Sequence, residues 1–422
     1  MGRRPGNSEG DRAGRVSDSG KPRGDATRAV EVGRKRQWTS LPDQAGSVVN
    51  PPVWRASTHL YDDADDHAGG RPNEDGHFFY GRRGGPTQWA LAEALTELEP
   101  GADSTLLSPS GVAAIATTLL ALTRPGDEIL FTDNAYEPTR NIAMGLLKAH
   151  GVSPVAFDPL DLEGFPALFT DRTRAVMLES PGSLTMEVCD VPALAAIARE
   201  HGATTVLDNT WASPLGFAAI EHGCDVSVMS LTKHVGGHSD LMMGSASGTA
   251  RAMARIRRHA QFLGQVVSPD DASLALRGLR TMPLRLERST ASATAVARWL
   301  ADRKEVSAVL CPMLPGAPGH ELWLRDFTGG CGLFSFILAD GADEAARRRL
   351  LDGAELFGIG FSWGGFESLV TPFDPAPIHG LRAWPPGIDT GSGLGVRLSI
   401  GLEDPDDLIA DLDAAFAAMG RA

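Results

Sequence analysis

The residue whose type and setting most clearly suggest chemistry in this chain is Lys233. It is one of five lysines, and it alone lies among small, apolar and hydroxyl residues. Unlike the guanidinium group of the more abundant arginines, an amine can lose its proton when it is buried and can then attack a carbonyl. The setting of Lys233 therefore suggests a lysine that forms a Schiff base.

A carboxylate and an aromatic ring lie where such a lysine could use them. Asp208 ends the apolar segment 204–208, and Lys233 follows the next predicted strand. Neighbouring parallel strands would place both side chains at one edge of a sheet, where ligands gather. A lysine, a carboxylate for the pyridine nitrogen and a stacked ring, here Tyr136, are the parts that a pyridoxal-phosphate site needs, because the protonated cofactor ring withdraws electrons.

The start of a helix of small residues predicts a site for the cofactor's phosphate. Ser110-Gly111 would form a turn before the helix 111–122, whose main-chain N–H groups and dipole favour an anion. Hydroxyl groups close to Lys233 could add donors. The predicted contacts to the cofactor's phosphate are Gly111, Val112, Ser230 and Thr232.

Each of these features has a purely structural explanation when it is taken alone. Asp208 could cap a helix, Ser110-Gly111 could be an ordinary turn, and Tyr136 could be a packing residue. His234 and His238 have the i, i+4 spacing of metal ligands on a helix, but two glycines lie between them and no HExxH glutamate is present. We therefore predict no metal site, and the joint occurrence of the other features favours the cofactor.

Short apolar segments alternate with helical patterns from about residue 100 to 285. This alternation predicts an α/β fold with a mostly parallel sheet that is covered on both faces. The predicted strands are 105–108, 128–132, one near 155, 174–179, 204–208 and 225–230. The predicted helices are 111–122, 137–150 and 191–201.

A second region begins near Met282 and reads as a smaller α+β domain. It contains a long helical pattern through Trp299, a strand at 332–337 and an amphipathic helix at 405–419. The predicted organisation is a disordered tail at 1–25, an N-terminal arm at 26–85, a large cofactor-binding domain at 86–285 and a small C-terminal domain at 286–422.

Composition and charge exclude several classes of partner. The net charge of −14 does not favour binding to nucleic acid or to an anionic membrane surface. We find no apolar run of about 18 residues and no apolar core of a secretory signal. The four cysteines are far apart and form no CxxC motif. We therefore expect a cytoplasmic protein without membrane or nucleic-acid partners.

The motifs together resemble those of the Cys/Met-metabolism family of pyridoxal-phosphate enzymes, over residues 27 to 419. Residues 225–240 match the family's lysine signature, and 208–211 match its Asp-Asn-Thr-Trp element. The resemblance implies the fold type I transferase architecture, with Lys233 as the catalytic Schiff-base lysine. It also implies that Tyr136 assists the exchange of amines at the cofactor.

The same resemblance implies that active sites are shared between subunits. Residues 79–84 match the family's Tyr-x-Arg element, so Tyr80 and Arg82 would reach the cofactor phosphate of a partner subunit. This implies a homo-oligomer, namely a tetramer that is built from dimers. The predicted substrate contacts are Arg397 for the α-carboxylate, Arg83 for a distal carboxylate, Ser362 and Trp363.

Three local motifs are similar to those of the bacterial cystathionine β-lyases within this family: residues 179–187, 80–83 and 362–368. They imply β-elimination of an amino-acid thioether, with cystathionine yielding homocysteine, pyruvate and ammonia. Asn141, Gln261 and His234 differ from the residues that are common in that branch. A lyase for another cysteine or homocysteine conjugate, a γ-eliminating enzyme and a non-catalytic binding protein therefore remain alternatives.

Overall fold

The structure is a computed structural model that describes residues 23–34, 39, 46–69, 79–374, 381 and 384–420. The predicted disordered tail lies outside the described residues except for 23–25. Two sheets organise the described chain, one of seven strands and one of five.

The seven-stranded sheet has the order β1-β7-β6-β5-β4-β2-β3. Strands β2 to β6 run parallel to their neighbours within that group, whereas β7 is antiparallel to both β1 and β6. Its strands are β1 (Ser104–Ser108), β2 (Glu128–Thr132), β3 (Ser153–Phe157), β4 (Thr173–Glu179), β5 (Thr204–Asp208), β6 (Val226–Ser230) and β7 (Gly244–Gly248). The predicted mostly parallel sheet is therefore present.

Apolar residues on both faces of this sheet explain why its central strands are uninterrupted hydrophobic runs. In β2, Leu130 packs into one core cluster, whereas Ile129 and Phe131 pack into another on the opposite face. Among the described residues up to 263, the α-helices with defined bounds are Asp25–Glu31, Ala64–Ala68, Pro86–Leu98, Gly111–Leu122, Glu137–Asn141, Val191–Glu200, Ser213–Gly216 and Ala250–Leu263.

The second sheet has the order β10-β11-β12-β9-β8 and is antiparallel except for the β10–β11 pair. Its strands are β8 (Val306–Leu310), β9 (Leu333–Leu338), β10 (Gly358–Ile359), β11 (Leu369–Phe373) and β12 (Gly395–Ser399). The helices His320–Asp326, Glu344–Gly353 and Pro405–Met419 belong to the same part of the chain. A separate core cluster contains Phe334, Phe336 and Phe416.

One helix of 33 residues, Pro269–Ala301, connects the two sheets. We expected the second region to begin near Met282, but the helix is already continuous there and includes Pro283. A proline removes one intrahelical hydrogen bond, yet Leu279, Met282 and Leu286 are all buried against the core around it. The predicted boundary between 285 and 286 falls inside this helix, and the division into domains stays a prediction.

The first described helix packs against the long helix. The Arg280 guanidinium donates to the main-chain oxygens of Ala29 at 2.9 Å and Val30 at 3.2 Å. At least this part of the predicted arm therefore contacts its own chain. The predicted helix 137–150 also differs in detail, because Glu137–Asn141 is α-helical and Ile142–Leu147 is a π-helix.

All four cysteines are buried thiols, namely Cys189, Cys224, Cys311 and Cys331. Burial raises the pKa of Cys189 and of Cys311 to about 12. Among the residues that the structure describes, none of the helices combines the length and the apolar character that crossing a membrane requires.

Candidate active site

Three neighbouring strands of the large sheet end in polar residues at the same edge. β4 ends at Glu179, β5 at Asp208 and β6 at Ser230, and Glu179 pairs directly with Asp208 in the sheet register. This convergence follows from parallel pairing, because the carboxyl ends of parallel strands meet at one edge. The predicted edge is therefore formed, and it collects the groups described next.

Lys233 lies in the turn that follows β6 and points toward the second sheet. Its main-chain N–H donates to the oxygen of Ser230 at 3.2 Å. Its Nζ donates to Ser362 Oγ at 2.6 Å and lies 5.2 Å from the centre of the Trp363 ring. The amine is thus held by a hydroxyl group and an aromatic ring.

The environment of Lys233 favours the neutral amine. Burial, reinforced by the positive charge of Arg397, lowers the pKa of Lys233 to about 8, while the carboxylate of Asp208 opposes that shift. A pKa in this range leaves a substantial fraction of neutral amine near neutral pH. The amine can therefore act as a nucleophile and as a base.

Asp208 is 8% exposed, and its carboxylate is held by Thr210. Asp208 Oδ1 accepts from the N–H of Thr210 at 3.1 Å and from its hydroxyl at 2.5 Å. Thr210 Oγ1 also accepts from the N–H of Ser230 at 2.9 Å. Thr210 therefore connects the ends of β5 and β6, a role that the sequence analysis missed although this threonine lies within the quoted Asp-Asn-Thr-Trp element.

The predicted phosphate turn packs closely against the end of β6. Ser110 caps the helix Gly111–Leu122 by accepting from the N–H of Ala113 at 3.1 Å. A Cβ atom at Gly111 would lie 2.8 Å from the Cβ atom of Ser230. The helix start is thus next to the strand that leads to Lys233, and only glycine fits there.

Two further residues that were predicted to contact the cofactor, Val112 and Thr232, differ in whether they are already engaged in other contacts. Val112 is 39% exposed on the first turn of the same helix. The Thr232 hydroxyl accepts from the N–H of Met243 at 3.1 Å and donates to its oxygen at 3.3 Å. A role for Thr232 in binding phosphate stays a prediction that requires this hydroxyl to change partner.

Tyr136 lies beside the end of β4, just before the helix Glu137–Asn141. Its N–H donates to Glu179 Oε2 at 2.6 Å, and its side chain is partly exposed. Burial and the charge of Glu179 raise the pKa of the phenol, and the charge of Arg397 lowers it. The ring is therefore within electrostatic reach of groups from both sheets.

The second sheet contributes Arg397 and the loop that carries Ser362 and Trp363. Arg397 lies on β12, and its Nη2 donates to the oxygen of Ser362 at 3.2 Å and to Thr371 Oγ1 at 3.4 Å. Ser362 has a φ of 79°, a strained conformation for a residue other than glycine. Its hydroxyl contacts Lys233 and its carbonyl contacts Arg397, so Ser362 joins both predicted groups.

Tyr80, Arg82 and Arg83 belong to a different surface region of the chain. Tyr80 forms an isolated β-bridge with Thr58, and Arg82 Nη1 donates to the oxygen of Gln261 at 3.4 Å. In the hydrogen bonds among the described residues, Tyr80 and Arg82 are not joined to Lys233. Their predicted roles toward a partner subunit stay predictions.

The two histidines that follow Lys233 face main-chain carbonyls. His234 Nε2 lies 3.1 Å from the oxygen of Trp211, and His238 Nδ1 lies 2.7 Å from the oxygen of Gly236. Within the described ranges, we find no group of three or more His, Cys, Asp or Glu residues that could hold a metal ion.

Known proteins resemble this chain along nearly its whole length. Residues 27–417 match the family model described as Cys/Met metabolism PLP-dependent enzyme. Cystathionine beta-lyase MetC of Escherichia coli is 43% identical over 93% of this chain and 98% of its own length. L-methionine gamma-lyase of Pseudomonas putida is 35% identical over 95% of this chain and 99% of its own length.

A solved structure shows the same fold. Cystathionine gamma synthase of Xanthomonas oryzae pv. oryzae, in complex with aminoacrylate and cysteine, matches with a TM-score of 0.82 at 32% identity. The match covers 94% of this chain and 99% of that one. The predicted fold type I architecture is confirmed, and the chain belongs to the family of PLP-dependent enzymes of Cys/Met metabolism.

Proposed function

We propose that this protein is a carbon–sulfur lyase that carries out β-elimination on L-cystathionine and releases homocysteine, pyruvate and ammonia. The observation that carries the proposal is the bond between Lys233 Nζ and Ser362 Oγ, opposite the buried Asp208. The name of the E. coli relative, cystathionine beta-lyase, supports the choice of reaction.

The side chains at the carboxyl edge of the sheet fit pyridoxal phosphate. A lysine with a lowered pKa, a buried carboxylate and a capped helix start with a glycine packed against β6 supply the three kinds of contact that this cofactor requires. When bound, the cofactor withdraws electrons from the substrate's Cα. Asp208 would hold the pyridine nitrogen, and Gly111, Val112, Ser230 and Thr232 would hold the phosphate.

Lys233 has two tasks in the proposed reaction. Its Nζ would hold the cofactor when no substrate is bound, and the same atom, once free, would be the base that takes the proton from the substrate's Cα. Ser362 Oγ, 2.6 Å away, orients the amine for both steps. Tyr136, whose side chain is partly exposed beside this edge, would assist proton transfer between the two amines.

Arg397 would bind the substrate's α-carboxylate. A planar guanidinium can hold a carboxylate through two parallel hydrogen bonds, and the contact with the oxygen of Ser362 fixes its direction toward Lys233. Trp363, whose ring lies 5.2 Å from Lys233 Nζ, would limit the space beside Cβ. With Cα placed between Lys233 and Arg397, the electron pair left when Lys233 takes the Cα proton would form a Cα–Cβ double bond and expel the thiolate from Cβ.

The complete site would include a second subunit. We infer that Tyr80 and Arg82 hold the phosphate of the partner's cofactor and that Arg83 meets the distal carboxylate of the substrate. Tyr80 is 45% exposed, which supports contact with a second copy. The proposed assembly is a cytoplasmic tetramer that is built from dimers. In each subunit, the arm at residues 26–85 would contact the partner, the large domain at residues 86–285 would bind the cofactor, and residues 286–422 would form the small domain.

Product analysis with L-cystathionine tests the proposed reaction. We expect pyruvate and homocysteine in equal amounts from the holoenzyme. Formation of 2-oxobutyrate and cysteine instead would overturn β-elimination in favour of γ-elimination. Absence of any product from cystathionine, cystine and other S-substituted cysteines would favour a non-catalytic protein.

A further inference from the structure

Glu179 is a half-buried carboxylate at the edge of the site to which the proposed reaction assigns no task. It ends β4 and is the direct neighbour of Asp208 across the sheet. Its Oε2 accepts the N–H of Tyr136 at 2.6 Å, across 43 residues of sequence. This hydrogen bond connects the sheet to the segment that carries the tyrosine.

The other main-chain hydrogen bonds of Tyr136 lie within its own helix. Tyr136 is the residue before the helix Glu137–Asn141, and no side-chain cap satisfies that helix start. Its carbonyl accepts from the N–H of Thr139 at 2.8 Å, which orders the helix rather than the sheet. Among the hydrogen bonds of the described residues, the Glu179 bond is the one that ties the Tyr136 main chain to β4.

The charges around Glu179 make its ionisation sensitive to the site. Burial raises its pKa well above the usual value, and the charges of Asp208 and Glu187 act in the same direction. The N–H of Tyr136 and the guanidinium of Arg140 lower that pKa. The charge of Glu179 in turn raises the pKa of the Tyr136 phenol.

We propose that Glu179 is a positioning residue that holds the main chain of Tyr136 at the carboxyl edge of the sheet and places a carboxylate beside that segment. This inference rests on the proposed function, because it assumes that Tyr136 lies over the cofactor ring. The hydrogen bond fixes the position of Tyr136 at the edge of the sheet. The negative charge of ionised Glu179 influences the pH range in which the Tyr136 phenol can donate a proton.

Two substitutions separate the hydrogen bond from the charge. Glu179→Gln keeps an oxygen acceptor for the N–H of Tyr136 but removes the charge, whereas Glu179→Ala removes both. Glu128 supplies a matched control, because it is 5% exposed at the opposite end of the sheet. Its Oε1 accepts from Thr173 Oγ1 at 2.7 Å. Glu128→Gln and Glu128→Ala therefore make the same changes in a carboxylate of the same sheet that lies away from the site.

Circular dichroism of the bound cofactor in the visible range provides a readout besides turnover. We expect Glu179→Ala to change this signal and to lower kcat on the order of 10-fold to 100-fold, since small misplacements of catalytic groups have effects of this size. KM should change much less. Glu179→Gln should keep the signal and shift the basic limb of the kcat profile to lower pH. The Glu128 variants should change thermal stability alone.

The inference is overturned if Glu179→Ala matches Glu128→Ala in thermal stability, cofactor dichroism and pH profile, since Glu179 would then be structural. It is also overturned if Glu179→Gln leaves the pH profile unchanged. L-alanine, which lacks a leaving group at Cβ, gives a spectral response of the holoenzyme that requires no C–S cleavage. A changed response to L-alanine in Glu179→Ala supports the positioning role even if the proposed substrate is wrong.

Discussion

The two ends of the seven-stranded sheet both bury carboxylates, but they hold them differently. At the amino end, Glu99 accepts the N–H of Ile220 at 3.3 Å, and Glu128 accepts threonine hydroxyls. At the carboxyl end, Asp208 and Glu179 share their surroundings with an amine and a phenol.

Burial raises the pKa of Glu99 to about 7, so a strongly shifted carboxyl also occurs away from the proposed chemistry. A perturbed pKa alone therefore does not locate an active site. The carboxyl end differs because the second sheet contributes side chains to it, among them Arg397, whose charge is opposite to that of the carboxylates. Ser362 contacts Lys233 and Arg397 contacts Ser362, whereas the donors to Glu99 and Glu128 come from the large sheet and its own loops.

Replacing the amine at the carboxyl end should have the largest effect. We expect Lys233→Ala to lower turnover by at least about 10⁴-fold, since both the nucleophile and the base are lost. The absorption band of the covalently bound cofactor should disappear. Lys148→Ala, at an exposed lysine, should leave both unchanged. Retention of the band in Lys233→Ala would contradict the assignment.

Removing one carboxylate from each end should separate chemistry from stability. Asp208→Asn is expected to lower kcat on the order of 100-fold, because a neutral amide does not keep the pyridine nitrogen protonated. Glu128→Gln should retain kcat. Steady-state kinetics on the two holoenzymes test this contrast, and equal losses would show that the two ends do not differ as described.

Glu99, at the amino end of the large sheet, should make the stability of the protein depend on pH. Its folded pKa of about 7 lies above the ordinary glutamate value of 4.5, so the protonated form favours folding. This contribution is complete below pH 4.5 and is lost as the pH rises through about 7. It amounts to about 3 kcal/mol. Urea unfolding of wild type and Glu99→Gln from pH 5 to 8 should show that the variant lacks this decrease.

The smallest predicted effect is a shift in the pH dependence of cofactor binding. The proposed bond to the cofactor requires the neutral amine of Lys233, so the association rate of the cofactor with the apoenzyme should rise with pH through about 8. The positive charge of Arg397 lowers the lysine pKa, so Arg397→Gln should move the midpoint to higher pH. Stopped-flow absorbance measures the rates, and an unchanged midpoint would exclude this coupling.

Local patterns predicted the elements of the large sheet well. The segments 128–132 and 204–208 are apolar runs between polar or glycine-containing stretches, and both are strands with these bounds. Ser110-Gly111 predicted the start of a helix at the observed residue. These elements follow from short-range periodicity and capping, which are visible in the sequence.

Long-range contacts were harder to predict. The long helix begins at Pro269, where Ser268 accepts from the N–H groups of Asp270 and Asp271, whereas the sequence analysis placed the start of the second region near Met282. The double role of Ser362 depends on how the second sheet packs against the first, and no local pattern carries that information. Glu179 was placed at a strand end, but its bond to Tyr136 became visible only in three dimensions.

The four buried thiols have a practical consequence for work on this enzyme. Thiolate is the reactive form of cysteine, and burial raises the pKa of Cys189 and of Cys311 to about 12. The native protein should therefore neither exchange disulfides with the homocysteine that it is proposed to release nor react with a chromogenic thiol reagent. Such a reagent can be present throughout turnover, so that each colour change counts one cleaved C–S bond.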